Sequence, residues 1–217
     1  MAYHRLSLPP GLPVDVQTIV RNRLEPHLID VHSMLRLPIR DDPGLQGGCN
    51  FTIAQVLLSV IGGASVTLYE NALTDRGNRT RLFREILTNH YPWKEESGIR
   101  GGLYGADAAD KLYVLFRSPL AHSLGIIEPD ESPTVRRVVV EKGPFAEEAI
   151  EATEKAAARP RDWVNPTLRQ DGDALILWLR SFYWGVRRTI ENVAVARVGR
   201  GWKGVIYADR ATEWTTT

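Results

Sequence analysis

The stretch that decides the fold runs Asp107-Ala108-Ala109-Asp110-Lys111-Leu112-Tyr113-Val114-Leu115-Phe116-Arg117-Ser118-Pro119-Leu120-Ala121-His122. Asp107 reads as an N-cap, with Asp110 in the first turn, where a carboxylate meets free N–H groups and the positive end of the helix dipole. Leu112, Leu115 and Phe116 continue at helical spacing. Pro119 has no backbone N–H, and its ring disfavours the helical region at Ser118. The helix is therefore expected to stop near Phe116 or Arg117. A second should start with Ser118 as cap and Pro119 as first residue. Such a break lets Arg117 fold back beside His122, whereas positions five apart on one unbroken α-helix are turned by about 140°.

Upstream, residues 1–13 read as an irregular proline-rich arm. Val16, Ile19, Val20, Leu24, Leu28, Val31 and Leu35 form an apolar stripe that predicts a helix over Pro13–Leu37, kinked or broken near Glu25 by Pro26. Arg36–Gly48 is a loop. Asn50 is placed to cap a helix reaching about Asn71. It is apolar nearly all round, which marks a buried element, and Gly62-Gly63-Ala64-Ser65 would admit a second backbone. No charge occurs between Pro43 and Tyr69. Gln46, Asn50, Thr52, Gln55, Ser59, Ser65 and Thr67 nevertheless interrupt the roughly 20 apolar residues that a bilayer span needs, so a core helix is expected. Asn78–His90 is a short basic amphipathic helix with Leu82, Phe83, Ile86 and Leu87 inside. Tyr91-Pro92-Trp93 ends it, as a packed helix end or a base-stacking element. Gly98–Gly105 reads as a flexible connection.

Downstream, Thr134–Val140 is rich in β-branched residues and reads as a strand. Phe145–Ala158 is a charged helix, Pro166–Gln170 a second strand, and Asp171-Gly172 a turn signal. Ala174–Val195 carries Leu175, Leu179, Phe182, Val186, Ile190 and Val193 at helical spacing and is expected to be the final helix. The fold class is mainly α in one domain, 1–217. A helical core spans 13–125, and 126–217 adds a strand–helix–strand–helix elaboration with two strands.

The 217 residues are 43% hydrophobic and 24% charged, with a formal net charge of +1, so any nucleic-acid contact must come from a local basic patch. One cysteine, Cys49, rules out an internal disulfide framework. The N-terminus lacks the apolar core of a signal peptide, and a cytoplasmic protein without a membrane partner is expected. No H-E-x-x-H, P-loop or G-x-S-x-G motif occurs, so no metal or cofactor is expected. Arg117 and His122 are the candidate chemical groups. A guanidinium can hold two phosphate oxygens and offset transition-state charge. An imidazole can take a proton from a ribose 2′-OH or return one to a leaving 5′-oxygen. That pairing cleaves RNA without a metal. A structural ion pair or cap is the competing reading of the same two residues. Arg76, Arg79, Arg81 and Arg84 fit either an RNA-backbone track or a solvated helix face. So do Arg187-Arg188 and the cluster Arg197, Arg200 and Lys203 near Trp202.

An apolar helix ending in Leu112-Tyr113-Val114-Leu115-Phe116, followed by Arg117-Ser118-Pro119-Leu120-Ala121-His122, resembles the HEPN superfamily (higher eukaryote and prokaryote nucleotide-binding domains). Its signature is Arg, a polar residue, and His after four to six positions. Arg117, Ser118 and His122 match it. The polar position is more often Asn, Asp or His, and no Tyr stands two residues after His122. The resemblance implies an antiparallel helical bundle over 13–125 and a homodimer whose two motifs form a composite site. It further implies metal-independent endoribonuclease activity of the toxin–antitoxin or antiviral-defence type, with RNA as substrate. Arg117, His122 and Ser118 would be catalytic, Arg79, Arg81 and Arg84 would hold substrate, and an antitoxin or other protein could be a partner. The alternative is a non-catalytic HEPN-like RNA- or nucleotide-binding or assembly module.

Overall fold

A computed structural model describes residues 2–37, 49–69, 78–122, 134–142 and 147–200; for Ala121, His122 and Glu147 it describes the backbone alone. The first helical stretch has three parts. Helix α1 (Val14–Ile19) passes into a π turn, Val20–Leu24, and then into α2 (Glu25–Leu35), with Pro26 in the first turn of α2. The expected discontinuity at Glu25 is present, but as a widened turn rather than a break. The Glu25 N–H donates five residues back, to the Val20 carbonyl. An α-helical proline presses its ring on the carbonyl four back and offers it no donor; a π turn just before the proline lets the chain keep its helical path.

Helix α3 (Asn50–Thr67) is the central element. It packs against α2, against α4 (Arg79–His90) and against α9 (Leu179–Ala196). By length and composition it could cross a membrane, with a mean hydropathy of 1.4. Its Ile53, Leu57, Leu58 and Ile61 are nevertheless fully buried within the bundle, each contributing about 1.5–3 kcal/mol relative to exposure. Gly63 permits a close approach: a Cβ there would lie 3.4 Å from Leu24 Cδ2 of the π turn. Asn50 does not cap α3. Cys49 holds the cap position in left-handed backbone, and the Asn50 amide donates to the Val140 carbonyl at 3.0 Å, tying α3 to a strand. Asn78 does cap α4, its Oδ1 accepting the Arg81 N–H at 3.0 Å.

After α4, Tyr91 and Trp93 are buried with ring centroids 4.1 Å apart, a packed helix end. A single turn, α5 (Trp93–Glu96), leads into the glycine-rich loop. That loop is not a free connection. Leu103 N–H donates to the Leu168 carbonyl and Gln170 N–H to the Gly101 carbonyl, both at 3.0 Å.

The next helical stretch repeats the first. Helix α6 (Gly105–Lys111) passes into a π turn, Leu112–Arg117, and then into α7 (Ser118–His122). Two expectations fail here. Asp107 is not the cap, because the helix begins at Gly105; its carboxylate instead pairs with Lys111 at 2.7 Å. The chain also does not break at Ser118–Pro119. Ser118 is helical (φ −67, ψ −53) and its N–H reaches back to the Tyr113 carbonyl, so the π turn accommodates Pro119.

Among the described residues the sheet has three strands, not two: β1 (Arg137–Glu141), β2 (Leu168–Asp171) and β3 (Ala174–Trp178), in the order β1-β3-β2. Strands β2 and β3 form a hairpin across Gly172–Asp173, and β1 lies parallel to β3 with α8 (Glu147–Lys155) between them in sequence. The expected final helix therefore starts five residues late. Ala174-Leu175-Ile176-Leu177-Trp178 is a short apolar run that periodicity alone cannot assign, and the preceding turn makes it a strand. Helix α9 enters the same buried cluster as α2, α3 and α4.

The N-terminal arm is irregular but firmly held. The N–H groups of His4, Leu6 and Ser7 donate to Glu154, Glu25 and Glu191 at 2.7, 2.9 and 2.7 Å. Arg187 and Arg21 donate to the carbonyls of His4 and Leu6 at 2.7 and 3.1 Å. Side chains thus replace the ladder partner that a strand would have.

Candidate functional site

The second π turn carries Arg117 across α3. A Cβ at position 62 would lie 4.0 Å from Arg117 Nε, so Gly62 forms the floor beneath the guanidinium. Around it is a cavity of about 490 Å³ lined by Ser59, Gly62, Gly63, Ser65, Val66, Arg79, Phe83, Tyr113, Arg117 and Ser118. Three of the six residues singled out in the sequence, Arg117, Ser118 and Arg79, therefore line one space. Arg117 arrives from the end of the π turn, Ser118 from the start of α7, and Arg79 from the first residue of α4, at the positive end of that helix's dipole.

Among the described residues, neither Arg117 nor Arg79 has a carboxylate or hydrogen-bond partner. The aromatic wall is fixed. The Tyr113 hydroxyl and Thr80 Oγ1 are 2.6 Å apart, and the Tyr113 ring meets Phe83 edge-on at 5.5 Å. The Ser65 hydroxyl is turned inward to the Gly62 carbonyl at 2.8 Å. Two unpaired guanidinium groups beside hydroxyl-bearing side chains make an electropositive, partly enclosed space suited to a phosphate ester.

Arg81 and Arg84 do not join it. Arg81 pairs with Glu85 at 3.3 Å on its own helix. Arg84 pairs with Asp110 at 2.6 Å and lies 5.1 Å from the Tyr113 ring centroid. Both charges are engaged, and the Arg84 pair braces the wall between α4 and α6. His122 closes α7, and its side chain lies outside the described part, as do Arg76, Trp202 and Lys203. On α-helical geometry, positions 117 and 122 of the unbroken helix face directions about 140° apart.

Of the described basic groups near the C-terminus, Arg187 and Arg197 are buried, Arg188 is half-buried and Arg200 is exposed. Arg187 is buried, lies 5.0 Å over the Tyr3 ring and holds the His4 carbonyl. Arg188 pairs with Glu191, and Arg197 Nε donates to the Leu68 carbonyl at 2.6 Å. Arg187 belongs to a cluster that the sequence alone did not indicate. Glu154 accepts from Tyr183 at 2.6 Å and sits 2.6 Å from His32 Nδ1. Burial pushes the Tyr183 phenol well above its ordinary range. These groups are scattered over α2, α8, α9 and the arm, so no local motif could announce them.

Comparison with protein-family models, curated proteins and solved structures returns no match for this chain.

Proposed function

We propose that this protein is a metal-independent endoribonuclease of HEPN type, built on the Arg117 cavity. The observation that carries the reading is the unpaired Arg117 guanidinium beside Ser118 and Arg79 in one open cavity. Arg117 would hold the non-bridging oxygens of the scissile phosphate and offset the charge that grows on them. The ribose 2′-oxygen attacks phosphorus and loses its proton to an imidazole. The bond to the 5′-oxygen breaks, and that oxygen is protonated as it leaves. The products are a 2′,3′-cyclic phosphate and a 5′-hydroxyl end, with no water consumed in the step. Arg79 would hold a neighbouring phosphate.

The unbroken helix bears on where the imidazole comes from. Since positions 117 and 122 face apart within one chain, a homodimer in which one protomer's His122 meets its partner's Arg117 supplies what a single chain does not. Mixing two inactive variants tests this. Arg117→Ala and His122→Ala homodimers each have two dead sites. A mixed dimer regains one intact site of two, so equimolar mixing with exchange should restore about a quarter of wild-type activity. No recovery, with exchange confirmed by mass, would place both groups in one chain.

A further inference from the structure

A second basic pocket shares no lining residue with the first. It encloses about 500 Å³, within the range of small-molecule sites. Three separate segments build it. Arg100 comes from the glycine-rich loop, Arg159, Arg161 and Trp163 from the connection between α8 and β2, and Arg169 from β2. Gly101 lets the loop lie against β2: it has φ +75, and a Cβ there would lie 3.4 Å from the Gln170 carbonyl and 3.5 Å from the Arg169 side chain. That pairing places Arg100 next to Arg169.

The charges do not balance. Four guanidinium groups line the pocket against one carboxylate, Glu95, whose Oε2 already accepts the Arg159 backbone N–H at 2.7 Å. Among the described residues, Arg100, Arg161 and Arg169 have no carboxylate or hydrogen-bond partner. Arg159 is only 9% exposed and its Nε is buried with no partner, although Nη2 donates to the Asn165 carbonyl. A fifth arginine, Arg180, lies 4.5 Å from the Trp163 ring centroid, with Asp162 as its acidic neighbour. Burial lowers the Arg159 and Arg180 pKa values despite the nearby acids. A buried guanidinium with an unmet donor carries a cost that an anion removes.

We infer that this pocket binds a compact polyphosphate-bearing small molecule, of the class of a nucleoside di- or triphosphate. Cations converging on one concavity from three segments suit several negative charges held close together. An RNA backbone instead spreads its phosphates along a stripe. Trp163 is buried, with Arg159 and Arg180 at its ring, so it supports the guanidinium groups rather than stacking a base. The inference does not depend on the reading of the Arg117 cavity.

The test is calorimetric titration of the full chain with inorganic triphosphate in about 0.15 M salt, where exposed charge pairs are largely screened. One saturable site per chain is expected. Arg100 and Arg161 are exposed and, among the described residues, have no side-chain hydrogen bond or ion pair to lose, so Arg100→Ala and Arg161→Ala should fold normally. Each should weaken binding about tenfold or more, as loss of one charged hydrogen-bonding group does. Arg136→Ala, at an exposed arginine that lines neither cavity, should leave the affinity unchanged. Three results would overturn the inference: no saturable binding, equal affinity in the Arg100 and Arg161 variants, or a single-stranded RNA that binds through Arg161 more tightly than triphosphate does.

Discussion

Val20–Leu24 and Leu112–Arg117 are both π turns that end two residues before a proline, and in each the residue before the proline donates its N–H five residues back. Glu25 and Ser118 thus occupy equivalent places, and their surroundings differ in one respect. In the first turn an arginine meets a carboxylate: Arg21 Nη1 donates to both Glu25 oxygens at 2.9 and 2.8 Å, and Glu25 also takes the Leu6 N–H. The Arg21 and Glu25 charges are both spent on holding the arm. In the second turn the arginine faces a cavity and the pre-proline residue is a serine. One backbone device has produced a structural clasp where an acid is present and an unsatisfied cation where it is absent.

The clasp is the more costly of the two to disturb. Glu25→Ala leaves Arg21 and the Leu6 N–H without their partner, and urea denaturation should show a loss of about 3 kcal/mol, at the low end because Arg21 is partly exposed. Arg117→Ala should stay within about 0.5 kcal/mol of wild type in the same measurement, since it gives up no internal partner. Equal losses would mean that the two turns are not different in kind. Gly63→Val presses the first turn away from α3 at Leu24 and should cost about 2 kcal/mol by overpacking.

The prolines separate the turns further. Pro119→Ala restores an N–H and removes the need for the widened turn, which shifts Arg117 over Gly62. RNA cleavage should fall about tenfold, a typical consequence of a small misplacement, with stability unchanged or raised. Pro26→Ala should leave cleavage alone. Equal activity in both variants would detach the π turn from function. Arg79→Ala should have the smallest effect, weakening RNA binding modestly and lowering the slope of log affinity against log salt by about 1.

Much of this was legible in the sequence, for identifiable reasons. The stripe from Val16 to Leu35 and the turn at Asp171-Gly172 are local signals that mark real features, whereas the caps expected at Asn50 and Asp107 are displaced by tertiary packing. Pro26 and Pro119 correctly locate two irregularities, but a sequence does not say whether a helix breaks or widens. That choice depends on what α3 offers the chain beyond the proline. Strand β3 was missed because an apolar five-residue run fits both periods when it abuts a true helix. The cavity was half visible: Arg117, Ser118 and Arg79 were named, but Tyr113, Phe83 and Gly62 join only through packing. Arg81, Arg84 and Arg187 looked equivalent to Arg79 because charge pairing is set in three dimensions. The second arginine pocket draws on three distant segments and left no pattern along the chain.

The most direct measurement incubates single-stranded RNA with wild-type protein and with Arg117→Ala, both with chelator present. Wild type should release fragments ending in 2′,3′-cyclic phosphate, and the variant should be slower by about 10²–10³-fold, the loss expected when a preorganised charge at the transition state is removed. Cleavage by Arg117→Ala at the wild-type rate, or none by wild type as a homodimer, would contradict the account.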